Sequence, residues 1–272
     1  QDPVDAYTGA HVLEHNFMSL FCGRDVHLSG KYNSSKLCKG SLGVGWYLNI
    51  DKKIENDDNS CSIKLFESPS EYNEFSGEYG SSLYHCTNPA KGLYTITDNR
   101  TSYGTRYTVN NNNESTEYYN HNGVLESIID KNGFETEITR SGNITTVTDK
   151  LTNKKMFIEK NSDGLVTKIY DENNRQVLFT YTDECLTSIR DINGNTISYT
   201  YDEDGKVLSG TDANGVKFFE DTYDECGRVI SQKDAIAGST PSQFEYTEDT
   251  IRTLKDRNGK QSVRTFSSNG LL

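Results

Sequence analysis

The most suggestive catalytic spacing lies near the N-terminus, where His11, Glu14 and His15 match the His-x-x-Glu-His pattern of inverted zinc peptidases. That chemistry requires a helix, because only a helix brings residues four positions apart around one metal ion. Gly9 precedes the pattern, and Val12 within it favours a strand. In a strand the two imidazoles share a face but lie too far apart for one metal, so we predict a solvated strand and no zinc site.

Two acidic turns are the second candidate site. Residues 202–205 and 224–227 read Asp-Glu-Asp-Gly and Asp-Glu-Cys-Gly, and clustered carboxylates suggest calcium. Neither turn has the alternating ligands and distal glutamate of an EF-hand loop, and hairpin geometry accounts for both. We therefore predict no metal and no cofactor.

Nucleophilic catalysis finds no support in the sequence. A Gly-x-Ser-x-Gly motif is absent. The five histidines, at positions 11, 15, 27, 85 and 121, all lie before or at the start of the regular repeats described below. We predict that the chain is not an enzyme.

Seventeen tyrosines offer a third kind of chemistry, because exposed aromatic rings can stack on sugars. Two interpretations of Tyr199, Tyr201, Tyr223 and Tyr246 stay open. In the one we favour, they line the packed face of a sheet, which suits a half-buried tyrosine. In the alternative, they form the surface of a glycan-binding adhesin module whose partner is a carbohydrate.

The elements that would position all of these residues follow a repeat. Residues 201–207, Tyr-Asp-Glu-Asp-Gly-Lys-Val, return as Tyr-Asp-Glu-Cys-Gly-Arg-Val at residues 223–229. A second series of aspartates recurs at intervals of 19 to 22 residues: Asp130, Asp149, Asp171, Asp191, Asp212, Asp234 and Asp256. A fixed period near twenty indicates supersecondary units that stack on one another.

Each unit is predicted to contain two antiparallel strands joined by tight turns. Between the turns the residues alternate with the two-residue period of a strand, as at Ile197, Tyr199 and Tyr201. The strands end at Asp-x-Asn-Gly sequences, in which Asp can cap the turn and Asn or Gly supplies a positive φ. We assign these residues to the structural repeat: Asp191, Gly194, Tyr201, Asp202, Gly205, Asp212, Gly215, Tyr223, Asp224, Gly227, Arg228, Asp256 and Gly259.

The chain divides near residue 115, into an irregular β region over 1–115 and the repeats over 116–272. Strand-like stretches occur at residues 26–32, 46–55 and 62–66, and two more at 94–98 and 105–109 read as a hairpin that leads into the repeats. No helical periodicity of useful length appears. We therefore predict an all-β fold, built as an antiparallel meander of hairpins.

Composition narrows the class of protein. Apolar residues make up only 33% of the chain and the net charge is −12, but aromatic residues reach 11%, which is typical of folded chains and not of disordered ones. No stretch approaches the ~20 apolar residues of a membrane span. The acidic balance, with no basic cluster, argues against nucleic acid as a partner.

Six cysteines, at positions 22, 38, 61, 86, 185 and 226, invite disulfide pairing. Cys185 and Cys226 lie two repeats apart, which places them about four strand spacings, or ~19 Å, from one another, against a disulfide Cα limit near ~7 Å. We predict that these two do not pair. Pairing of Cys22 with Cys38, and of Cys61 with Cys86, stays open.

The Tyr-Asp-x-x-Gly-Arg unit resembles the YD repeat of the Rhs family. This family includes bacterial Rhs and wall-associated proteins, the shell components of insecticidal toxin complexes, and animal teneurins. The N-terminal sequence is also similar to the start of a bacterial Rhs core. The matching residues are Asp2, Pro3, Asp5, Thr8 and Gly9 of Asp-Pro-Val-Asp-x-x-Thr-Gly, and Gly43, Gly45 and Trp46 of Gly-x-Gly-Trp.

The resemblance implies a long antiparallel sheet that spirals into a hollow shell around a polymorphic C-terminal toxin or effector domain. On that basis we expect a noncatalytic structural part of such a shell, from a secreted or cell-surface protein used in bacterial competition. Its partners would be the rest of the parent chain and its cargo domain.

The C-terminal sequence indicates a fragment. Residues 266–272 read as a repeat that is cut off midway, and the segment at which such cores cleave themselves is absent. We expect the last strand, around residues 261–266, to lack a following neighbour and to support self-association.

Overall fold

The fold is almost entirely β. A computed structural model describes residues 3–20, 24, 26–57, 61–78, 80–100, 104–112, 114–236, 238–247 and 251–267. Asp2, Cys22 and residues 268–272 lie outside these ranges. Within them the structure has 26 strands and one short 3-10 helix, Pro89–Lys91, so the predicted all-β fold is confirmed. No helix in the described ranges is long and apolar enough to cross a membrane.

The chain folds as two compact units, each built from separate segments. The first unit comprises Gln1–His15, Lys31–Trp46 and Leu178–Leu272, and the second comprises Asn16–Gly30 and Tyr47–Val177. The predicted division near residue 115 concerns the pattern of repeats along the chain. The separation into compact units does not test that pattern, so the boundary near residue 115 stays a prediction.

Five short strands occupy the N-terminal part of the chain: β1 (Val12–Ser19), β2 (His27–Asn33), β3 (Lys39–Gly40), β4 (Gly43–Val44) and β5 (Trp46–Leu48). β1, β2 and β5 form a small sheet, and β3 pairs with β4. The single strand predicted over residues 46–55 is wrong. The backbone N–H of Leu48 donates to the Asp51 carboxylate, and that of Asp51 donates to the Leu48 carbonyl, so a turn interrupts the strand.

In the second unit, antiparallel strands pair in chain order. They are β6 (Lys53–Asn56), β7 (Ser62–Phe66), β8 (Tyr72–Ser76), β9 (Leu83–Cys86), β10 (Tyr94–Asp98), β11 (Thr105–Asn111), β12 (Ser115–Asn120), β13 (Leu125–Asp130), β14 (Glu135–Ser141), β15 (Ile144–Asp149), β16 (Lys155–Lys160) and β17 (Val166–Asp171). Each pairs with the next along the chain. The alternating apolar side chains of these strands, such as Ile63, Phe75, Ile96 and Leu125, are fully buried.

The strands of the first unit continue this pattern. They are β18 (Gln176–Thr182), β19 (Cys185–Arg190), β20 (Thr196–Tyr201), β21 (Val207–Thr211), β22 (Lys217–Tyr223), β23 (Val229–Asp234), β24 (Ser242–Tyr246), β25 (Ile251–Lys255) and β26 (Gln261–Thr265). Each is antiparallel to the next. Turns that reverse the chain are those of a meander, whereas a parallel β-helix would stack consecutive turns.

The turns explain the repeated aspartates. Asp191 accepts the backbone N–H groups of Asn193 and Asn195 on one carboxylate oxygen, both at 2.8 Å, while the N–H of Gly194 donates to the Asp191 carbonyl. Gly194 has φ +87°, as the left-handed position of a three-residue hairpin loop requires. The same pair of side-chain bonds recurs at Asp130, Asp171, Asp202, Asp212, Asp224 and Asp256. Hairpin geometry therefore accounts for the acidic turns.

The cysteines inside the described ranges are free thiols. Cys86 lies opposite Phe75 of β8, and the carbonyl of Cys61 accepts the N–H of Gly77, on the other side of that strand. Two strand spacings, roughly 10 Å, separate such positions, which exceeds the disulfide limit near ~7 Å. The pairing of Cys61 with Cys86 that the sequence left open is therefore not formed. The alternative pairing involves Cys22, which lies outside the described residues.

Candidate functional site

The candidate site is the place where the N-terminal segment, residues 3–15 and 31–46, packs on the repeats of the first unit. It contacts the loops that close the hairpins β18–β19, β20–β21 and β22–β23, here called the YD turns. Hydrogen bonds join each of these turns to the segment. The bonds run from Val44 N–H to the Glu184 carbonyl (3.1 Å), from Val207 N–H to the Tyr32 hydroxyl (2.9 Å) and from Val229 N–H to the Gly9 carbonyl (2.8 Å).

The first part of the segment is a tight loop that presents Gly9. The Asp5 carboxylate accepts the N–H groups of Tyr7 and Thr8, at 3.1 and 2.7 Å, and the Thr8 hydroxyl at 2.8 Å. The backbone N–H of Asp5 donates to the carbonyl of Ala10. Residues 5–10, the second half of the entry sequence and the residue after it, thus form a self-capped loop.

Two glycines of the segment permit close contact with the repeats. Gly43 has φ +100°, and a Cβ there would lie 2.4 Å from the carbonyl oxygen of Glu184. Gly9 has φ +73°, and a Cβ there would lie 2.6 Å from the hydroxyl of Tyr246. A larger residue at either position meets both a steric clash and an unfavourable backbone conformation.

His11 is the centre of a buried polar network. Its side chain is 0% exposed, and Nδ1 lies 2.5 Å from an oxygen of Asp221, which is also fully buried. The Gln232 amide donates to the other Asp221 oxygen at 2.8 Å. The backbone N–H of His11 donates to the Ser34 hydroxyl, and the N–H of Ser34 donates back to the His11 carbonyl. This network fixes the segment against β22 and β23, the strands on either side of one YD turn.

The predicted solvated strand at residues 11–15 is therefore wrong, although the extended conformation is correct. His15 contacts the Tyr199 hydroxyl through Nε2 and stacks on Trp46, with ring centroids 5.9 Å apart. Burial lowers the pKa of His15 below its ordinary value. The two imidazoles bind different partners, and the described part of the chain contains no group of three His, Cys, Asp or Glu side chains placed to hold a metal ion.

Trp46 anchors the second half of the segment. Its side chain is fully buried, and its indole N–H donates to the Tyr201 hydroxyl at 3.0 Å. The ring packs against Tyr32 and Tyr199, with centroids 5.2 and 5.4 Å away. Aromatic contacts of this kind stabilise beyond the area that they bury.

Tyrosines at the ends of β20, β22 and β24 join one hairpin to the one before it. Their hydroxyls donate to backbone carbonyls that follow the preceding YD turn, each at 2.7 Å: Tyr201 to Leu186, Tyr223 to Val207 and Tyr246 to Val229. We call these bonds the tyrosine series. Because their hydroxyls bind the protein backbone and their rings are part of the packing, the structure favours the packed interpretation of these tyrosines over sugar stacking.

Arg228 explains the basic residue of the repeat. Its guanidinium bonds to Asp224 at 2.8 Å and lies 4.5 Å from the centroid of the Tyr246 ring. Burial alone would raise the pKa of Asp224, but hydrogen bonds from the Arg228 backbone and side chain outweigh it and lower that pKa. One arginine thus holds the turn closed and covers the next tyrosine.

In the second unit, Arg24 forms a group of hydrogen bonds that holds its segment to β14 and β15. Its guanidinium donates to the Asp149 carboxylate at 2.6 Å, to the Glu135 carbonyl at 2.7 Å and to the Thr136 hydroxyl at 3.0 Å. Sequence reasoning missed this residue. It also missed the partners of His11. Of these partners only Asp221 could have been noticed in the sequence, because it lies on the same alternating face of its strand as Phe219 and Tyr223.

Comparison with known families agrees with this architecture. The Teneurin YD-shell family matches residues 89–219, and a domain of unknown function, DUF6531, matches residues 1–71. No curated protein matches the chain. The two matches cover the docked N-terminal segment and most of the meander of YD hairpins, and together they support an Rhs/YD-shell family for this chain.

Proposed function

We propose that this chain forms the N-terminal part of the wall of a protein shell, and that the shell encloses a C-terminal toxin or effector domain of the parent protein. The chain supplies structure and no catalysis. We propose a secreted or cell-surface location, in line with the family's general use outside the cell.

The docking of the N-terminal segment carries this proposal. Residues far apart in the chain meet in the His11–Asp221 pair, which is buried, and in the Trp46–Tyr201 bond, which is partly buried. A wall must resist opening, and a chain segment bonded to three successive YD turns joins hairpins that otherwise contact only their neighbours.

Limited proteolysis of the full-length gene product tests this function. We expect the region that follows the repeats to resist protease in the wild type and to be cleaved faster in Trp46→Ala. That substitution removes a fully buried ring, at a cost of ~3–5 kcal/mol. Leu93→Ala, at a side chain that is 69% exposed, is the matched control and should preserve resistance. A C-terminal region cut in the wild type as fast as when expressed alone would overturn the proposal.

Self-association through β26 also stays a proposal. The side chains of this strand, Gln261–Thr265, are exposed, and the strand pairs with β25. Light scattering across a salt series tests it: salt screens the net charge of −12, so association should increase with ionic strength. A mass that stays monomeric at every salt concentration would exclude it.

A further inference from the structure

One pair of strands in the second unit lacks the tyrosine bond that joins comparable strands of the first unit. We call the pairing of the last strand of one YD hairpin with the first strand of the next a joint. At the joints β19–β20 and β21–β22 only three residue pairs form, so the strands separate toward the YD turns. Tyr201 and Tyr223 bridge these two openings through their hydroxyls. Each opening is therefore closed by one tyrosine ring and one hydrogen bond.

The joint β13–β14 has the same short register but no tyrosine. Its three pairs are Ser127–Glu137, Ile128–Thr136 and Ile129–Glu135. Arg140 occupies the position of the tyrosine, and its guanidinium donates to the Leu125 carbonyl at 2.7 Å. Leu125 is the buried residue after the preceding turn, as Leu186 and Val207 are in the other joints.

A cleft opens beside Arg140 and the two residues that flank Leu125, Val124 and Glu126. Its volume is about 530 Å³, within the range of small-molecule sites. The lining is polar and combines the Arg140 guanidinium and the Asn120 amide with the carboxylates of Glu126 and Glu137 and the hydroxyls of Thr105, Ser127 and Thr139. The joint β15–β16 differs: Lys160 takes the tyrosine position, but five residue pairs keep the strands together.

The charges of the cleft are mixed. Three glutamates line it together with Arg140, so a charged ligand of either sign meets a like charge there. Among the described residues the Arg140 guanidinium forms no ion pair; burial lowers its pKa, and the nearby carboxylates of Asp51 and Glu126 oppose that shift. Asn120 donates to Glu126 at 3.0 Å, and Lys150 pairs with Glu137 at 3.1 Å, so these carboxylates are held in place.

We propose that this cleft binds a saccharide. A sugar presents closely spaced donors and acceptors without net charge, which is the complement of a guanidinium, fixed carboxylates and hydroxyls on one polar surface. The site does not use the tyrosines of the YD turns. It also does not depend on the enclosure of a cargo, so either proposal can fail without the other.

Titration of the purified chain with a panel of neutral sugars tests the site. The panel contains glucose, galactose, N-acetylglucosamine, lactose and chitobiose, and amide chemical shifts report binding. We expect at least one sugar to bind with a dissociation constant of ~1 mM or tighter and to shift residues of β13 and β14. Shifts from none of them, or shifts confined to other strands, would overturn the proposal.

Two variants separate a specific site from general affinity. Arg140→Tyr restores the tyrosine of the repeat and fills the cleft, so it should fold and weaken binding at least ~10-fold, equivalent to ~1.4 kcal/mol. Lys160→Tyr introduces a tyrosine at β15–β16, where five residue pairs hold the strands together, and should leave affinity unchanged. Equal affinity in wild type and Arg140→Tyr would contradict the assignment, and so would tighter binding of acetate or inorganic phosphate than of any sugar. If Arg140→Tyr fails to fold, Arg140→Gln provides the same test through the lost guanidinium.

Discussion

Removal of the Asp221 carboxylate tests whether the buried network holds the N-terminal segment in place. Asp221→Ala removes the acceptor of the buried imidazole of His11 and of the partly buried amide of Gln232. A hydrogen bond to a carboxylate contributes ~1.5–3 kcal/mol, and a buried donor left unpaired costs ~1–3 kcal/mol. We therefore expect the segment to open at least ~100-fold more often, since ~1.4 kcal/mol corresponds to a factor of ten.

Hydrogen exchange measures this opening directly. The reporters are the amides of Val229 and Val44, which bond across to the carbonyls of Gly9 and Glu184 and lose protection when the segment leaves the repeats. Glu220→Ala is the matched control, because Glu220 is the neighbour of Asp221 on β22 and makes an exposed pair with Lys217 that is worth ~1 kcal/mol or less. Equal protection of the two reporters in Asp221→Ala and Glu220→Ala would refute the assignment of the network as the anchor.

Three further predictions concern stability, measured by urea unfolding with tryptophan fluorescence. Tyr223→Phe removes one hydroxyl-to-carbonyl bond and should lower the free energy of unfolding by ~1 kcal/mol, whereas an unchanged midpoint would deny the tyrosine series a structural role. Gly43→Ala should destabilise more than Gly215→Ala: both glycines have positive φ, but only a Cβ at position 43 meets another atom within 4 Å. Burial lowers the pKa of His15 in the folded state below its ordinary 6.5, so the unfolded state binds protons more readily and stability is lost as pH falls below about that value. The loss between about pH 7.5 and about pH 5.5 should be smaller in His15→Gln, and an equal loss in both proteins would contradict the burial effect.

The local structure of the repeats was predictable because its causes are local. Asp191 and Gly194 form their turn through bonds within five residues, and the alternation from Ile197 to Tyr201 requires nothing beyond the strand itself. The prediction of a single strand over residues 46–55 was wrong because its interior forms a turn. The side chain of Asp51 competes for backbone groups, and a strand pattern read from apolar spacing does not register that competition.

The candidate site was predictable only in part. The resemblance singled out Gly9, Gly43 and Trp46, but it did not say what they contact. His11 meets Asp221 across 210 residues of chain, and no local pattern reports such a contact. The prediction of a solvated strand at His11 assumed that its polar face pointed to water. In the structure Asp221 and Ser34 bond to His11 and exclude water from it. A carboxylate on the core-facing side of β22 was the one sign that a buried partner was needed.

Electron cryo-microscopy of the full-length gene product tests the shell directly. We predict that the YD hairpins form a continuous wall, that residues 3–15 and 31–46 lie against the YD turns as described, and that the C-terminal domain lies inside the wall. Density for that domain outside the wall, on a flexible connection to the repeats, would contradict the proposed function.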